Sequence, residues 1–295
     1  MNFVFVSPHF PKSYWNFCDR LKKNGVNVLG LADVPYDDLS WELKNCLTEY
    51  YKVNNLEDYD EVVRAIGYFT HKYGKIDWIE SNNEYWLELD AKVRRDFNIS
   101  TGMKAEVIFG TSNEFPPSIM DIVNTKDHLA YHTVKDVSPI LRDCGERVLK
   151  AFNARNRFFH LEFFRLTKAK EGLGEVGDIV ALEVNMRAPG GYTPDMINYA
   201  NSVDIYQIWA DMVAFGKTYV DLNKQHYYAA YCARRDGKQY LHSEEEIWAR
   251  YGDRLVMRER MPEILSGAMG NEMYTAKLDT KEELDEYNEF VLSLV

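Results

Sequence analysis

Eleven residues, ALEVNMRAPGG at 181–191, concentrate groups that can do chemistry. Read as a strand, they send Leu182, Val184 and Met186 to one face and Glu183, Asn185 and Arg187 to the other. An upstream run, HLEFF at 160–164, reads as the partner strand of an antiparallel hairpin centred between Gly172 and Leu173. That centre sets Glu162 opposite Glu183 on the same face. Two opposed carboxylates are unfavourable unless a cation lies between them. With Asn185 they form an oxygen-only ligand set, which suits a hard cation. Mg2+ keeps waters and shares phosphate oxygens, so three protein oxygens suffice. Arg187, two residues on, suits a transferring phosphoryl or acyl-phosphate group. The competing reading is an edge strand showing Glu, Asn and Arg to water. Glu162 in register, the apolar neighbours and the APGGYTPD turn weigh against it. Gly190 and Gly191 either let backbone approach a ligand or make an ordinary tight turn.

The elements that must hold this hairpin alternate along the chain. Residues 2–7, 26–32, 49–53 and 76–81 read as strands, with helices over 13–25, 39–47 and 58–74 between them. Short loops between alternating strands and helices predict a parallel sheet in a Rossmann-like wrap. No GxGxxG follows the first strand, so the dinucleotide fingerprint is absent and a nicotinamide-binding enzyme is disfavoured. Residues 83–98 continue as a helix, and 100–109 start another that stops at Gly110. Residues 128–153 hold a helix over their last half. Residues 157–167 and 178–188 are the hairpin strands, and 203–216 a helix. The tail reads strand, helix, strand, helix.

Net charge is −11, which disfavours general nucleic-acid or membrane binding. No apolar run is long enough to span a bilayer, and the first residues lack a signal-peptide pattern. A cytoplasmic location is expected. Cys18, Cys46, Cys144 and Cys232 show no zinc spacing and read as reduced thiols. His132 and His160 are candidate bases, though a supporting role is the commoner fate of such residues. Trp78, Trp86 and Trp209 read as packing, and Glu244–Glu246 as an acidic first turn.

At HLEFF and ALEVNMRAPGG the sequence resembles the ATP-grasp superfamily, the carboxylate–amine ligases in particular, with carbamoyl-phosphate synthase and biotin carboxylase lobes as cousins. The resemblance implies an α/β fold: a Rossmann-like pre-ATP-grasp domain at 1–109, then an α+β large lobe with a mainly antiparallel sheet at 110–295. It implies ATP with Mg2+ or Mn2+ as cofactors, held by Glu162, Glu183 and Asn185, and Arg187 as the catalytic residue against the acyl-phosphate or γ-phosphate. A small carboxylate and an amine would be the substrates, met by Asn113, Gly190, Gly191 and Tyr192. Ligases of this type are often homodimers.

The departure from the family is large. Its lid brings a lysine strand and a glycine-rich loop over the phosphates, and no KPxxGxGSxGV-like run occurs in this chain. Met103 and Lys104 precede the point where the lid should begin, and the text after Gly110 resembles the segment that should follow it. A segment the size of a small domain is expected to be missing at or near Gly110, whether cut by design, absent from the numbering or lost naturally. Such a chain is expected to turn over weakly or not at all, or to serve as a lidless binding scaffold.

Overall fold

The structure is a computed structural model that describes residues 1–99, 109–115, 122, 124–154 and 157–295. The helix expected from residue 100 lies outside the described residues up to 108. In chain order come β1 (Asn2–Val6), α1 (Trp15–Lys23), β2 (Asn27–Ala32), α2 (Trp41–Cys46) and β3 (Glu49–Lys52). Then follow α3 (Tyr59–Tyr73), β4 (Trp78–Glu80), α4 (Leu87–Asp96), β5 (Asn113–Glu114) and β6 (Leu129–Thr133). Next are α5 (Pro139–Ala151), β7 (His160–Arg165), β8 (Ile179–Asn185), α6 (Thr193–Asn201) and α7 (Ile205–Phe215). The last are β9 (Tyr228–Arg234), α8 (Glu244–Tyr251), β10 (Leu255–Arg260), α9 (Glu263–Met269), β11 (Glu272–Leu278) and α10 (Lys281–Leu292).

The chain forms two compact units, each built from separated segments. The first is Met1–Ile108, Pro139–Gly190 and Ile205–Val220. The second is Phe109–Ser138, Gly191–Asp204 and Asp221–Val295.

The first unit holds the expected parallel sheet, in the order β3-β2-β1-β4. β1, β2 and β4 are largely buried on both faces, as a helix-covered parallel sheet requires, whereas the edge strand β3 is half-buried. Val4 and Val6 point into one core, with Val62, Ala65, Ile66 and Phe69 of α3. Phe3 and Phe5 face the other way, against Trp209 of α7. Trp209 also meets Phe17 of α1 edge-on, 4.9 Å between centroids. Asp58 starts α3 by accepting from the Asp60 and Glu61 amides, and Gly74 ends it at φ +87°. The strand order reverses between β1 and β4. Open α/β sheets favour ligands outside the carboxyl ends of strands at such a reversal. Ser7, just past β1, and Asn82, just past β4, both hold left-handed backbone, φ +53° and +52°. Such conformations are uncommon outside glycine and mark turns under constraint.

The β7–β8 hairpin belongs to this unit, and Leu161 passes under Gly145 of α5. α7 is fixed to α1 through Asp211, a buried carboxylate that accepts from Asn24 Nδ2 (2.9 Å), Gln207 Nε2 (2.6 Å) and the Tyr219 amide (3.0 Å).

The second unit is an antiparallel sheet, β10-β11-β9-β6-β5. Residues of β9 alternate between two cores. Ala229, Tyr231 and Ala233 join Met196 and Ala200 of α6, whereas Ala230 and Cys232 join Leu284, Tyr287 and Val291 of α10. Capping boxes open α8 (Ser243 with Glu246) and α10 (Thr280 with Glu283), which accounts for the acidic first turn at 244–246.

Five elements of this unit depart from the sequence reading, which contains no β5, β6, α6, α9 or β11. β11 is interior, and its side chains enter both cores. A strand buried on both faces loses the alternation by which strands are recognised. α6 did leave a signal, because Pro194 stands in its first turn where proline is favoured. The α/β class and the pairing of a parallel with an antiparallel sheet are as expected.

Candidate functional site

β7 and β8 pair antiparallel, with Glu162 against Glu183 and His160 against Asn185. One residue on, the register shifts: Phe163 pairs with Ala181, so Leu182 is passed over as a bulge. Bulges of this kind bend a strand and re-aim its side chains, and they cluster beside sites. The site face therefore carries His160, Glu162, Glu183 and Asn185, and Phe164 and Val180 continue it beyond the bulge.

Arg187 lies just past the end of β8 and spreads its guanidinium across two loops. Nη1 donates to the Ala188 carbonyl at 2.9 Å, and Nη2 to Glu84 Oε2 at 2.6 Å. Glu84 opens the turn that follows β4. The loop before it is held by the Tyr14 hydroxyl, which donates to the Asn82 carbonyl at 2.5 Å. Beneath it, Glu80 accepts from Arg94 at 2.8 Å and stands 3.5 Å from Arg157. Sequence reasoning missed Glu84, although ESNNE directly after an apolar strand was a visible signal.

The local electrostatics follow from crowding. Burial first, and the Glu183 charge second, raise the Glu162 carboxyl above its ordinary range, while Arg187 opposes them. Burial first, then Arg187, lowers the His160 imidazole and favours its neutral form. His160 Nε2 stands 3.3 Å from Glu162 Oε1. That geometry makes it a support for the carboxylate. Among the described residues, His160 Nδ1, Asn185 Nδ2, Arg187 Nε and Asn82 Nδ2 are buried without a hydrogen-bond partner. Unsatisfied buried groups are costly, and four of them gather at one end of this unit.

Two crowded acids and the oxygen of a neighbouring amide are the kind of donors a hard cation takes. Among the described residues there is no group of three His, Cys, Asp or Glu that could hold a metal ion.

No protein-family model matches the chain, and no curated protein matches it. Solved structures do. An L-amino acid ligase from Bacillus licheniformis superposes with a TM-score of 0.61 at 9% identity, covering 98% of this chain and 96% of that one. A phosphoribosylglycinamide synthetase from Anaerococcus prevotii gives 0.58 at 8% identity, covering 99% and 97%. The biotin carboxylase domain of a thermophilic 2-oxoglutarate carboxylase gives 0.52 at 10% identity, covering 96% and 88%. The chain shares the ATP-grasp fold with them.

The remaining expected residues divide between the two units. Gly190 ends a segment of the first unit; Asn113, Gly191 and Tyr192 belong to the second. Asn113 Oδ1 accepts from Thr133 Oγ1 at 2.5 Å across β5 and β6. Gly191 has φ +59°, and a Cβ there would sit 3.1 Å from Met269 Cε. The Tyr192 hydroxyl donates to Glu259. His132 is buried, 3.6 Å from Glu114. No helix among the described residues is long and apolar enough to cross a membrane.

Proposed function

We propose that the protein is a ligase of the ATP-grasp kind, which activates a small carboxylate as an acyl-phosphate and joins it to an amine. The observation that carries this reading is the register of Glu162 with Glu183, with Asn185 and Arg187 following on the same strand end. Glu162, Glu183 and Asn185 would hold Mg2+ or Mn2+, which when bound neutralises the phosphates of ATP. Arg187 then steadies negative charge on the group in transfer. Its Nη1 bond to the Ala188 carbonyl fixes the guanidinium plane, so the protein contributes by positioning. His160 stays neutral and holds Glu162 in place. Asn113, Gly190, Gly191 and Tyr192 would line the way to the acceptor.

A second reading is a lidless binding scaffold. The observation in its favour is the lone Gly110 where a lysine strand and a glycine-rich loop are expected. In both readings we take a lid segment to be missing there and a cytoplasmic homodimer to be the working form. Titration calorimetry of the 295-residue chain with ADP and Mg2+, beside Glu183→Ala, separates the possibilities. Binding lost in the variant supports the platform. Absence of binding in both leaves the scaffold. Normal ATP-dependent product formation would sink the loss of the lid.

A further inference from the structure

Arg234, in the second unit, is a guanidinium without a counter-ion among the described residues. It ends β9, on the face where Cys232 meets α10. Its Nε donates to the Val291 carbonyl, in the last turn of α10, at 2.8 Å. Its Nη2 is buried without a partner among the described residues. Aromatic rings stand where a carboxylate is expected. The Tyr240 centroid lies 4.5 Å from Cζ and the Tyr274 centroid 5.8 Å. Burial lowers the Arg234 pKa, and the groups opposing it are Tyr274, Tyr240, Cys232 and Tyr287, phenols and a thiol rather than carboxylates.

The nearby acids are engaged elsewhere. Glu272 is in register with Arg234 across β9 and β11. It accepts from Arg258 Nε at 2.9 Å and stands 3.9 Å from Arg260 Nη1. Those two arginines also draw Glu244 and Asp236. Arg235, next along the chain, is satisfied by the carbonyls of Asp127, Ser266 and Gly267 and brings no acid either. Positive charge is therefore in local excess within a chain of net charge −11. The carbonyl end of α10 offsets about half a charge, and it meets Nε, not Nη2.

Hydrogen-bond donors are in excess too. The Tyr287 hydroxyl, on α10, is buried without a partner among the described residues. Burial raises its pKa, and Arg234 opposes the rise, so the two groups are neighbours. The Tyr240 hydroxyl accepts from the Arg235 amide at 2.8 Å, which leaves its own hydrogen to donate. Arg234 and Tyr240 are half-buried and Tyr287 is fully buried, so the donors run from the surface inward. One positive charge and three donors call for a ligand that is negative and rich in acceptors.

We propose that Arg234, Tyr240 and Tyr287 bind a small oxyanion of the phosphate or sulfate kind. Its oxygens accept from Arg234 Nη2 and the two phenols, and its charge balances the guanidinium. The site shares no residue with the β7–β8 hairpin and stands independently of the ligase reading.

The test is titration calorimetry of the full chain with sodium phosphate and sodium sulfate, against sodium chloride of equal ionic strength. Saturable binding is expected, with a Kd of about 1 mM or tighter. Arg234→Gln weakens it by about tenfold or more, and Tyr287→Phe by about three- to tenfold. Melting supplies a readout that a merely structural role would not move. Without oxyanion, Tyr287→Phe melts at or above the wild type, because an orphaned hydroxyl is gone. With saturating phosphate the wild type melts higher. Should Arg234→Gln fail to fold, this reversal still decides. No saturable binding, or a melting order that phosphate leaves unchanged, would overturn the proposal. So would binding that survives Arg234→Gln and is lost in Arg187→Ala, since it assigns the oxyanion to the hairpin. Mg-ADP titrations of the wild type and Arg234→Gln run alongside. Phosphate binding that needs Arg234, without Mg-ADP binding, keeps this inference and removes the ligase reading. Mg-ADP binding without such phosphate binding does the reverse.

Discussion

Glu162 faces Glu183 directly across β7 and β8, so two carboxylates share one face of a two-stranded sheet. Like charges so placed destabilise a pair of strands. The protein tolerates the arrangement beside Arg187, which opposes the rise in the Glu162 pKa without cancelling it.

This pair makes stability depend on pH and on divalent cations. The folded pKa of Glu162 is raised, by burial first and by Glu183 second. Its contribution is therefore fully present below the unfolded value, about pH 4, and is lost as pH rises through the folded value. Glu162→Gln removes that loss. In urea unfolding without divalent cation, the variant should be the more stable at neutral pH, with the advantage vanishing in acid. Mg2+ should stabilise the wild type and not the variant. Equal midpoints at neutral pH would refute this.

Asp90 supplies a second pH-dependent element, beneath the loop that carries Glu84. It is fully buried, and its Oδ2 accepts from the Ser81 amide (3.0 Å) and hydroxyl (2.7 Å). Burial first, and Glu80 second, push its carboxyl up to about 7. Stability from this group is present below about pH 4 and falls as pH rises toward about 7. Asp90→Asn should flatten that part of the stability profile. A variant with the wild-type slope between pH 5 and pH 7 would show that other groups are responsible.

Asn185→Leu sets function against stability. Asn185 is buried and its Nδ2 has no partner among the described residues. An apolar side chain of similar size should gain about 1 kcal/mol in thermal unfolding while abolishing Mg-ADP binding. Retained nucleotide binding would remove Asn185 from the ligand set.

Gly270 is required by two constraints at once. Its φ is +83°, and a Cβ there would lie 2.4 Å from the Cβ of Ala233 on β9. Gly270→Ala should cost about 2–3 kcal/mol of the second unit's stability, read from the denaturation midpoint. An unchanged midpoint would mean that the turn before β11 relaxes freely.

The hairpin was legible because its information is local. A short loop sets the register, and strict alternation then places Glu162, Glu183 and Asn185 on one face. The bulge at Leu182 was not legible, since the residue passed over carries no mark of its own. The alternation of β1 to β4 with capped helices was equally readable, because Asp58, Gly74 and the apolar spacings act within a few residues. β6 and β11 escaped because both faces of an interior strand are covered, which erases the period-two pattern. The surroundings of Gly191 and Tyr192 were not legible either, since Met269 beside Gly191 and Glu259, which accepts from the Tyr192 hydroxyl, are far away in sequence.

By itself, then, the sequence determined the chemistry on offer: opposed acids, an amide and an arginine on one strand end. Only the tertiary structure decided what meets Arg187. Glu84 is 103 residues away, and the two come together because β4 returns beside β1 while the chain enters the hairpin much later. Side-chain alternation is a property of neighbours along the chain, whereas strand order is set by the packing of whole sheets, which no short stretch encodes.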